Sequence, residues 1–149
     1  MFIMKKITKK VLVGGVFNIV HPGHVFFLKK AKSLGDYLIV VVAHNKTAER
    51  TKSYPIVDQK KRKKNIEKLN IADKVVIGDE NDFMKVVRKE KPDIIALGYD
   101  QTIKENELAE MLKRNGIICK IIRINEYLKG YKTSKLIKKK NKNLKLLKT

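Results

Sequence analysis

Apolar runs of strand length alternate with helix-length segments along most of the chain, and this alternation limits the fold more than any other feature. The predicted strands are 11–14, 37–43, 74–77, 94–97 and 119–122, and the predicted helices are 22–33, 58–69, 83–89, 105–115 and 133–140. Such an order is typical of a parallel sheet that helices cover on both faces. We therefore predict an α/β fold, a single Rossmann-like domain with a five-stranded parallel sheet.

Length and composition agree with one domain. The 149 residues are 43% hydrophobic, which is enough for one core of ordinary size. We expect a folded domain over 1–137 and a basic tail over 138–149. The single cysteine, Cys119, cannot form an internal disulfide, so we expect a reducing, cytoplasmic setting. No apolar run approaches the roughly 18 residues that cross a bilayer, so we expect no membrane partner.

The formal net charge of +20 invites a nucleic-acid interpretation. Much of the excess lies at the ends of the chain, where 129–149 holds nine lysines and no acidic residue. Such a run is either a solvated terminus or a weak polyanion-binding segment. A module that binds RNA or DNA through its basic termini is therefore one candidate function.

Three loops follow predicted strands, and they are the places where chemistry is expected. Ligands of an open parallel sheet bind beyond the carboxyl ends of its strands, near the point where the strand order reverses. The loops 14–24, 43–52 and 98–101 lie at such ends.

The first loop contains two glycines and then His21-Pro22-Gly23-His24 at the start of a helix. Glycines let backbone amides approach an anion closely, and a helix start offers unpaired N–H groups and the positive end of its dipole. The two histidines are three residues apart, so we expect their side chains to lie on the same side. Two imidazoles there could donate hydrogen bonds to a phosphate whose charge grows as pyrophosphate leaves.

Other interpretations of these histidines fit less well. A lone histidine is usually a structural side chain, but a pair directly after a strand and two glycines favours a functional site. Zinc is disfavoured because His44 and Cys119 lie on other strands and supply no second ligand pair at metal spacing. The chain also has neither a P-loop motif nor a Gly-x-Gly-x-x-Gly dinucleotide motif.

The segments 15–18 and 21–24, Gly-Val-Phe-Asn and His-Pro-Gly-His, resemble the paired signature of the cytidylyltransferase-like nucleotidyltransferase superfamily. Segments 31–36, 91–95 and 97–101 are similar to the archaeal FAD synthase group and to the related glycerol-3-phosphate cytidylyltransferases. The resemblance covers 11–138. It implies that Gly15, Val16 and Phe17 bind the nucleotide together with the two histidines.

The same resemblance assigns further residues by position. It implies that Lys52 neutralises the triphosphate, with Arg50 as its rival, and that Arg62 is a second catalytic cation. It implies that Asp100 contacts the sugar or base side of the nucleotide. The last motif, at 132–136, implies that Thr133 and Ser134 hold the β and γ phosphates. The alternatives are a surface charge for each cation, a turn residue for the aspartate and a helix cap for the two hydroxyls.

Two positions depart from the family pattern. Asn18 stands where the family usually has aspartate, which weakens any function there that needs a negative charge. Val16 replaces the usual threonine, so a hydroxyl is lost while the backbone amide remains.

The resemblance implies an enzyme that joins a phosphorylated acceptor to the NMP part of a nucleoside triphosphate, ATP or CTP, and releases pyrophosphate. The first expectation is FMN and ATP giving FAD. Alternatives are glycerol 3-phosphate with CTP and a heptose phosphate with ATP. Mg²⁺ is expected to enter with the triphosphate, and no metal ligand is assigned to the protein. Whether the chain forms a homodimer stays open.

Overall fold

One parallel sheet organises the molecule. The computed structural model describes residues 9–130. Its strands are β1 (Lys10–Gly15), β2 (Tyr37–Val42), β3 (Lys74–Ile77), β4 (Ile94–Gly98) and β5 (Lys120–Ile124). They lie in the order β3-β2-β1-β4-β5, and every neighbouring pair is parallel. The predicted α/β class and five-stranded parallel sheet are confirmed.

Helices cover both faces of this sheet. They are α1 (Pro22–Lys32), α2 (Asn45–Thr51), α3 (Gln59–Glu67), α4 (Met84–Glu90) and α5 (Glu105–Arg114). Alternate residues of β1 point to opposite faces. Val11 and Val13 pack in one core cluster with side chains of α1 and α3, whereas Leu12 packs in a second cluster with side chains of α4 and α5. The sheet thus separates two apolar cores.

The predicted helix ends are close to the observed ones, for identifiable reasons. The predicted acidic cap of α3 is Asp58, whose Oδ2 accepts a hydrogen bond from the Lys60 N–H at 3.0 Å. Gly116 follows α5 with φ +66, the left-handed conformation that terminates many helices. Strand β5 begins one residue later and ends two residues later than expected, because its ladder with β4 runs from Lys120 to Ile124.

The segment 43–52 was predicted as a loop, and this was wrong, because most of it forms α2. The sequence of α2 is Asn-Lys-Thr-Ala-Glu-Arg-Thr, in which only Ala48 is buried. It therefore has no apolar periodicity from which a helix could be inferred. Its start is stabilised by His44, whose Nδ1 accepts from the Lys46 N–H at 3.1 Å. The predicted helix 133–140 and the basic tail lie outside the described residues.

The central strands diverge at the carboxyl edge of the sheet. The β1–β4 ladder contains two residue pairs, the later of which joins Leu12 to Ile95. Farther along, the Gln101 side chain bridges the strands: its Nε2 donates to the Gly14 carbonyl at 2.7 Å, and its Oε1 accepts from the Gly98 N–H at 2.8 Å. The strand order reverses here, so this edge is where a ligand is expected.

No helix among residues 9–130 has the length and apolar character needed to cross a membrane.

Candidate active site

His21 and His24 together cap the start of α1. The His21 Nδ1 accepts from the Gly23 N–H at 3.1 Å, and the His24 Nδ1 accepts from the His21 N–H at 3.3 Å. This is a reciprocal capping box in which both side-chain acceptors are imidazoles. The two rings stack with their centroids 3.8 Å apart. The sequence prediction that they lie on the same side is confirmed.

The expectation of unpaired backbone N–H groups at this helix start is wrong. Pro22 has no N–H, and the Gly23 N–H donates to the His21 ring. The N–H groups of His24 and Val25 both donate to the His21 carbonyl, at 3.0 and 3.3 Å. The cap uses the first-turn donors, so the groups that α1 can present to a phosphate are imidazole N–H groups.

The capping bonds also determine which nitrogen carries the proton. A neutral imidazole whose Nδ1 accepts a hydrogen bond holds its hydrogen on Nε2. Burial lowers the pKa of His21, and the Asp100 carboxylate opposes that effect. The pKa of His24 is lowered to about 3, mainly by burial and to a lesser extent by the neighbouring His21. Both rings are therefore neutral at physiological pH, and each has an Nε2–H donor.

Phe17 supports the histidine pair from the preceding loop. Its ring is 6% exposed and meets His24 edge to face, with centroids 5.3 Å apart. Its φ of +51 is a left-handed conformation that costs a non-glycine residue on the order of 1–2 kcal/mol. Gly15 makes room for the ring, because a Cβ at that position would lie 2.9 Å from it. Contact of Gly15, Val16 and Phe17 with a nucleotide stays a prediction.

Asp100 lies in the loop after β4, at the same edge of the sheet as the histidine pair. It follows Gly98, the last residue of β4, and its charge acts on His21. Arg123 of β5 fixes the loop that carries it, since Nη1 donates to the Gly98 and Gln101 carbonyls at 2.7 and 2.9 Å. Its Nη2 donates to the Ile103 carbonyl at 2.7 Å. The structure thus brings the predicted nucleotide-binding aspartate to the same edge as the histidines.

Arg62 is fully buried, in contrast to the phosphate-facing cation that the resemblance implies. Its guanidinium donates to the carbonyls of Val57 at 2.6 Å, Val16 at 3.0 Å and Ala43 at 2.8 Å. A fourth bond, at 2.9 Å, goes to Asn45 Oδ1. The side chain therefore ties α3 to the loops after β1 and β2. A catalytic contribution of Arg62 stays a prediction.

Lys52 and Arg50 differ in their surroundings. Arg50 donates through Nε to the Lys46 carbonyl at 3.2 Å and through Nη2 to the Glu80 carbonyl. Lys52 is exposed directly after α2, and its ammonium group makes no hydrogen bond or ion pair with residues 9–130. Of the two cations, Lys52 is the one that no described protein group engages, and its contact with triphosphate stays a prediction.

Sequence analysis did not identify the residues that hold the loops together. Asn18, Gln101 and Arg123 use side-chain groups to bond backbone groups far away in the sequence. Such bonds have no characteristic spacing, so no pattern indicates them. The only signal was the position of Asn18 and Gln101 within segments that resemble family motifs. Thr133 and Ser134 lie outside the described residues.

No protein metal cage is evident in the part of the chain that the structure describes. Residues 9–130 contain no group of three or more His, Cys, Asp or Glu side chains that could hold a metal ion. Both Nδ1 atoms of the histidine pair accept hydrogen bonds within the cap. Burial raises the pKa of the Cys119 thiol to about 11, so without a bound metal this thiol stays protonated at physiological pH.

Comparison with known proteins identifies the family. The cytidylyltransferase-like family model matches residues 12–139. The chain belongs to this family. Among its relatives is a FAD synthase of Ferroglobus placidus, 47% identical over 116 residues, with 78% of this chain and 76% of that protein covered. A FAD synthase of Thermoplasma volcanium is 44% identical, with 88% and 92% covered.

Comparison with solved structures agrees with the fold. A structure described as the lipopolysaccharide core biosynthesis protein from Thermoplasma volcanium is 45% identical and has a TM-score of 0.77, with 80% of this chain and 98% of that chain covered. Pantoate-beta-alanine ligase from Francisella tularensis is 20% identical and has a TM-score of 0.58, with 81% and 60% covered. The second similarity concerns the fold alone.

The bonds of Arg62 predict a large structural effect for Arg62→Ala. Three carbonyls and the Asn45 amide would lose a donor in a buried site, so we expect the free energy of unfolding to fall by on the order of 3 kcal/mol. Urea unfolding measures this loss. Lys61→Ala, an exposed neighbour on α3, is the control and should change stability by less than about 0.5 kcal/mol. Equal effects of the two substitutions would contradict the structural assignment.

Proposed function

We infer that the chain is an FMN adenylyltransferase, which joins FMN to the AMP part of ATP to form FAD and pyrophosphate. The observation that supports FMN as the acceptor is the 44–47% identity to curated FAD synthases over most of their length. The histidine pair at the start of α1 supports the reaction class. The other family acceptors, glycerol 3-phosphate and heptose phosphates, are not favoured by these relatives.

The reaction needs little covalent help from the protein. A phosphate oxygen of FMN attacks the α-phosphorus of ATP, and the bond between that phosphorus and the oxygen bridging to the β-phosphate breaks. Pyrophosphate leaves with the electron pair of that bond. The second pKa of a phosphate monoester is about 6, so FMN is largely in its nucleophilic form at neutral pH and needs no general base. Catalysis then depends on positioning and charge stabilisation.

The histidines are suited to stabilise the leaving group. Neutral imidazoles with Nε2–H groups can donate to phosphate oxygens without first losing or gaining a proton. The Gly23 N–H bond to the His21 Nδ1 polarises that ring in the direction of its Nε2–H. Their position at the start of α1 adds the positive end of the helix dipole. We propose that both rings bind phosphates of ATP and bind more strongly as pyrophosphate charge develops.

Other contacts complete the proposed site. Lys52 supplies an exposed cation for the triphosphate, and Asp100 binds the sugar or base side of the nucleotide. Thr133 and Ser134 contact the β and γ phosphates, as the family resemblance implies. Arg62 acts indirectly by fixing the loops, in line with its burial and its four bonds to protein acceptors.

Mg²⁺ is proposed to arrive with ATP. Triphosphate oxygens and water can fill most of its octahedral shell, which agrees with a described protein surface that lacks a dedicated cluster of ligands. Its contribution would be to neutralise triphosphate charge. The described residues assist around it, with hydrogen bonds from the imidazoles and the separate positive charge of Lys52.

A nucleic-acid-binding function is a weaker candidate. One lysine of the basic amino-terminal segment, Lys10, belongs to β1, where its backbone N–H donates to Asp93 at 2.8 Å and its Nζ donates to the Glu90 carbonyl at 3.3 Å. Most of the terminal lysines lie outside the described residues. Weak polyanion binding by the termini and formation of a homodimer stay predictions.

Substrate choice is tested by measuring pyrophosphate release with ATP or CTP, each paired with FMN, glycerol 3-phosphate or a heptose phosphate. We expect the largest kcat/KM with ATP and FMN, accompanied by FAD that chromatography can identify. The heptose phosphate arm is included because one structural relative is described as a lipopolysaccharide core biosynthesis protein. A clear preference for another pair would refute the proposed acceptor.

The histidine function is tested with asparagine, because the asparagine side chain can accept a hydrogen bond as Nδ1 does but has no group at the Nε2 position. His21→Asn and His24→Asn should keep the helix cap and lower kcat by roughly 100-fold each, with smaller changes in ATP binding. Steady-state kinetics and calorimetry measure the two effects.

His44→Asn is the matched control for both variants. His44 caps α2 through the same Nδ1 contact, so this variant makes the same chemical change at a different helix start. Its kcat should stay within about twofold of the parent value. If the active-site variants retained full kcat but lost ATP binding, the proposed stabilisation of the leaving group would be wrong.

A further inference from the structure

Asn18 is a buried polar residue in the loop between β1 and the histidine pair, and it is 4% exposed. Its Oδ1 accepts from the Val57 N–H at 2.7 Å, and its Nδ2 donates to the Pro55 carbonyl at 3.0 Å. Both functional groups of one amide therefore hold a single segment that lies 37 to 39 residues further along the chain.

The segment that Asn18 holds carries Lys52. Pro55 lies three residues after Lys52, and three residues of extended chain span at most about 11 Å. The two bonds therefore limit how far the start of the segment can move from the loop that leads to His21. Lys52, Ser53 and Pro55 are exposed, so this part of the segment has little apolar packing to fix it.

Arg62 restrains the same segment from the other side. Its Nε donates to the Val57 carbonyl at 2.6 Å, and its Nη1 donates to the Val16 carbonyl at 3.0 Å. Val57 is thus held at its N–H by Asn18 and at its carbonyl by Arg62. In the loop after β1, the residues that take part in these bonds are Val16 and Asn18. In the held segment they are Pro55 and Val57. The bonds of Asn18 and Arg62 therefore lie within three residues of each other in each segment.

The identity of the side chain follows from this arrangement. An aspartate at position 18 could still accept from the Val57 N–H, but it could not donate to the Pro55 carbonyl while ionised. Its charge would also be buried next to a carbonyl oxygen, which is costly. An asparagine satisfies both backbone groups without a charge. The departure from the usual family aspartate therefore matches a bond that only the amide can make.

The geometry points to Asn18 as a positioning residue that holds the Lys52 segment against the histidine loop, so that the lysine and the two imidazoles engage one triphosphate. This inference rests on the proposed function, since it assumes that Lys52 binds ATP. Both polar groups of the Asn18 side chain bond to backbone groups, so its proposed effect is indirect. Replacing Asn18 should therefore weaken the contribution of Lys52 to ATP binding, and should not simply unfold the protein.

The test is a double-mutant cycle on the full chain with Asn18→Ala and Lys52→Ala, using FMN and ATP. Asn18→Ala should raise the KM for ATP and lower kcat/KM roughly tenfold, whereas in the Lys52→Ala background it should change kcat/KM by less than about twofold. Amide hydrogen exchange at Val57 should speed up in Asn18→Ala. Asn18→Asp keeps the acceptor for the Val57 N–H but loses the bond to Pro55 and buries a charge, so it should also raise the KM for ATP, while exchange at Val57 stays slower than in Asn18→Ala.

Two controls separate positioning from destabilisation. Leu112→Ala opens a cavity in the core on the other face of the sheet, so it should lower stability and leave the KM for ATP unchanged. Arg50→Ala should show additive effects with Asn18→Ala, since Arg50 bonds to the Glu80 carbonyl and not to the held segment.

Each outcome has a distinct meaning. Additive effects of Asn18→Ala and Lys52→Ala, or a Lys52→Ala variant with unchanged kinetics, would overturn the positioning inference even if FAD is made. Unchanged exchange at Val57 in Asn18→Ala would overturn it as well. Failure of the parent protein to form FAD would instead refute the proposed function, and Val57 exchange would still report whether Asn18 restrains the segment.

Discussion

The reciprocal cap at the start of α1 is the interaction on which the rest of the candidate site depends. His21 and His24 each use Nδ1 to satisfy a backbone N–H, and this leaves Nε2–H on each ring. Their burial keeps both rings neutral at physiological pH. One set of hydrogen bonds therefore begins the helix and selects the tautomer, and we propose that the resulting Nε2–H groups bind phosphate. Structure and chemistry are inseparable here, so removing a whole imidazole would disturb both.

Long polar side chains hold the loops around this cap. Gln101 connects the ends of β1 and β4, Arg123 fixes the loop after β4, and Arg62 joins α3 to the loops after β1 and β2. In each of these bonds the acceptor is a backbone carbonyl near the carboxyl edge of the sheet. No buried side-chain nitrogen or oxygen among residues 9–130 lacks a hydrogen-bond partner. Such satisfied networks stabilise one loop arrangement, since each unpaired buried group would be costly.

The sequence predicted the sheet and its main helices because apolar periodicity reports burial directly. It also predicted that His21 and His24 would meet, because residues three apart share a helix face. Helix α2 was not predicted, because it buries only one alanine. The sequence also provided no indication that the first backbone N–H groups of α1 would donate to His21 within the cap. The environment of Arg62 was equally hidden, since a buried arginine bonded to carbonyls and an arginine facing phosphate look the same in sequence. Side-chain bonds across long separations, such as those of Asn18, leave no local pattern.

The most direct test of this account is a long-range ¹H–¹⁵N NMR experiment on protein labelled with ¹⁵N at histidine, recorded near pH 7 with and without a non-hydrolysable ATP analogue. The account predicts that His21 and His24 are neutral, carry hydrogen on Nε2 and keep an unprotonated Nδ1, and that their Nε2–H signals shift when the analogue binds. Signals of an imidazolium ion, of the Nδ1–H tautomer, or of rings that do not respond to the analogue would contradict it.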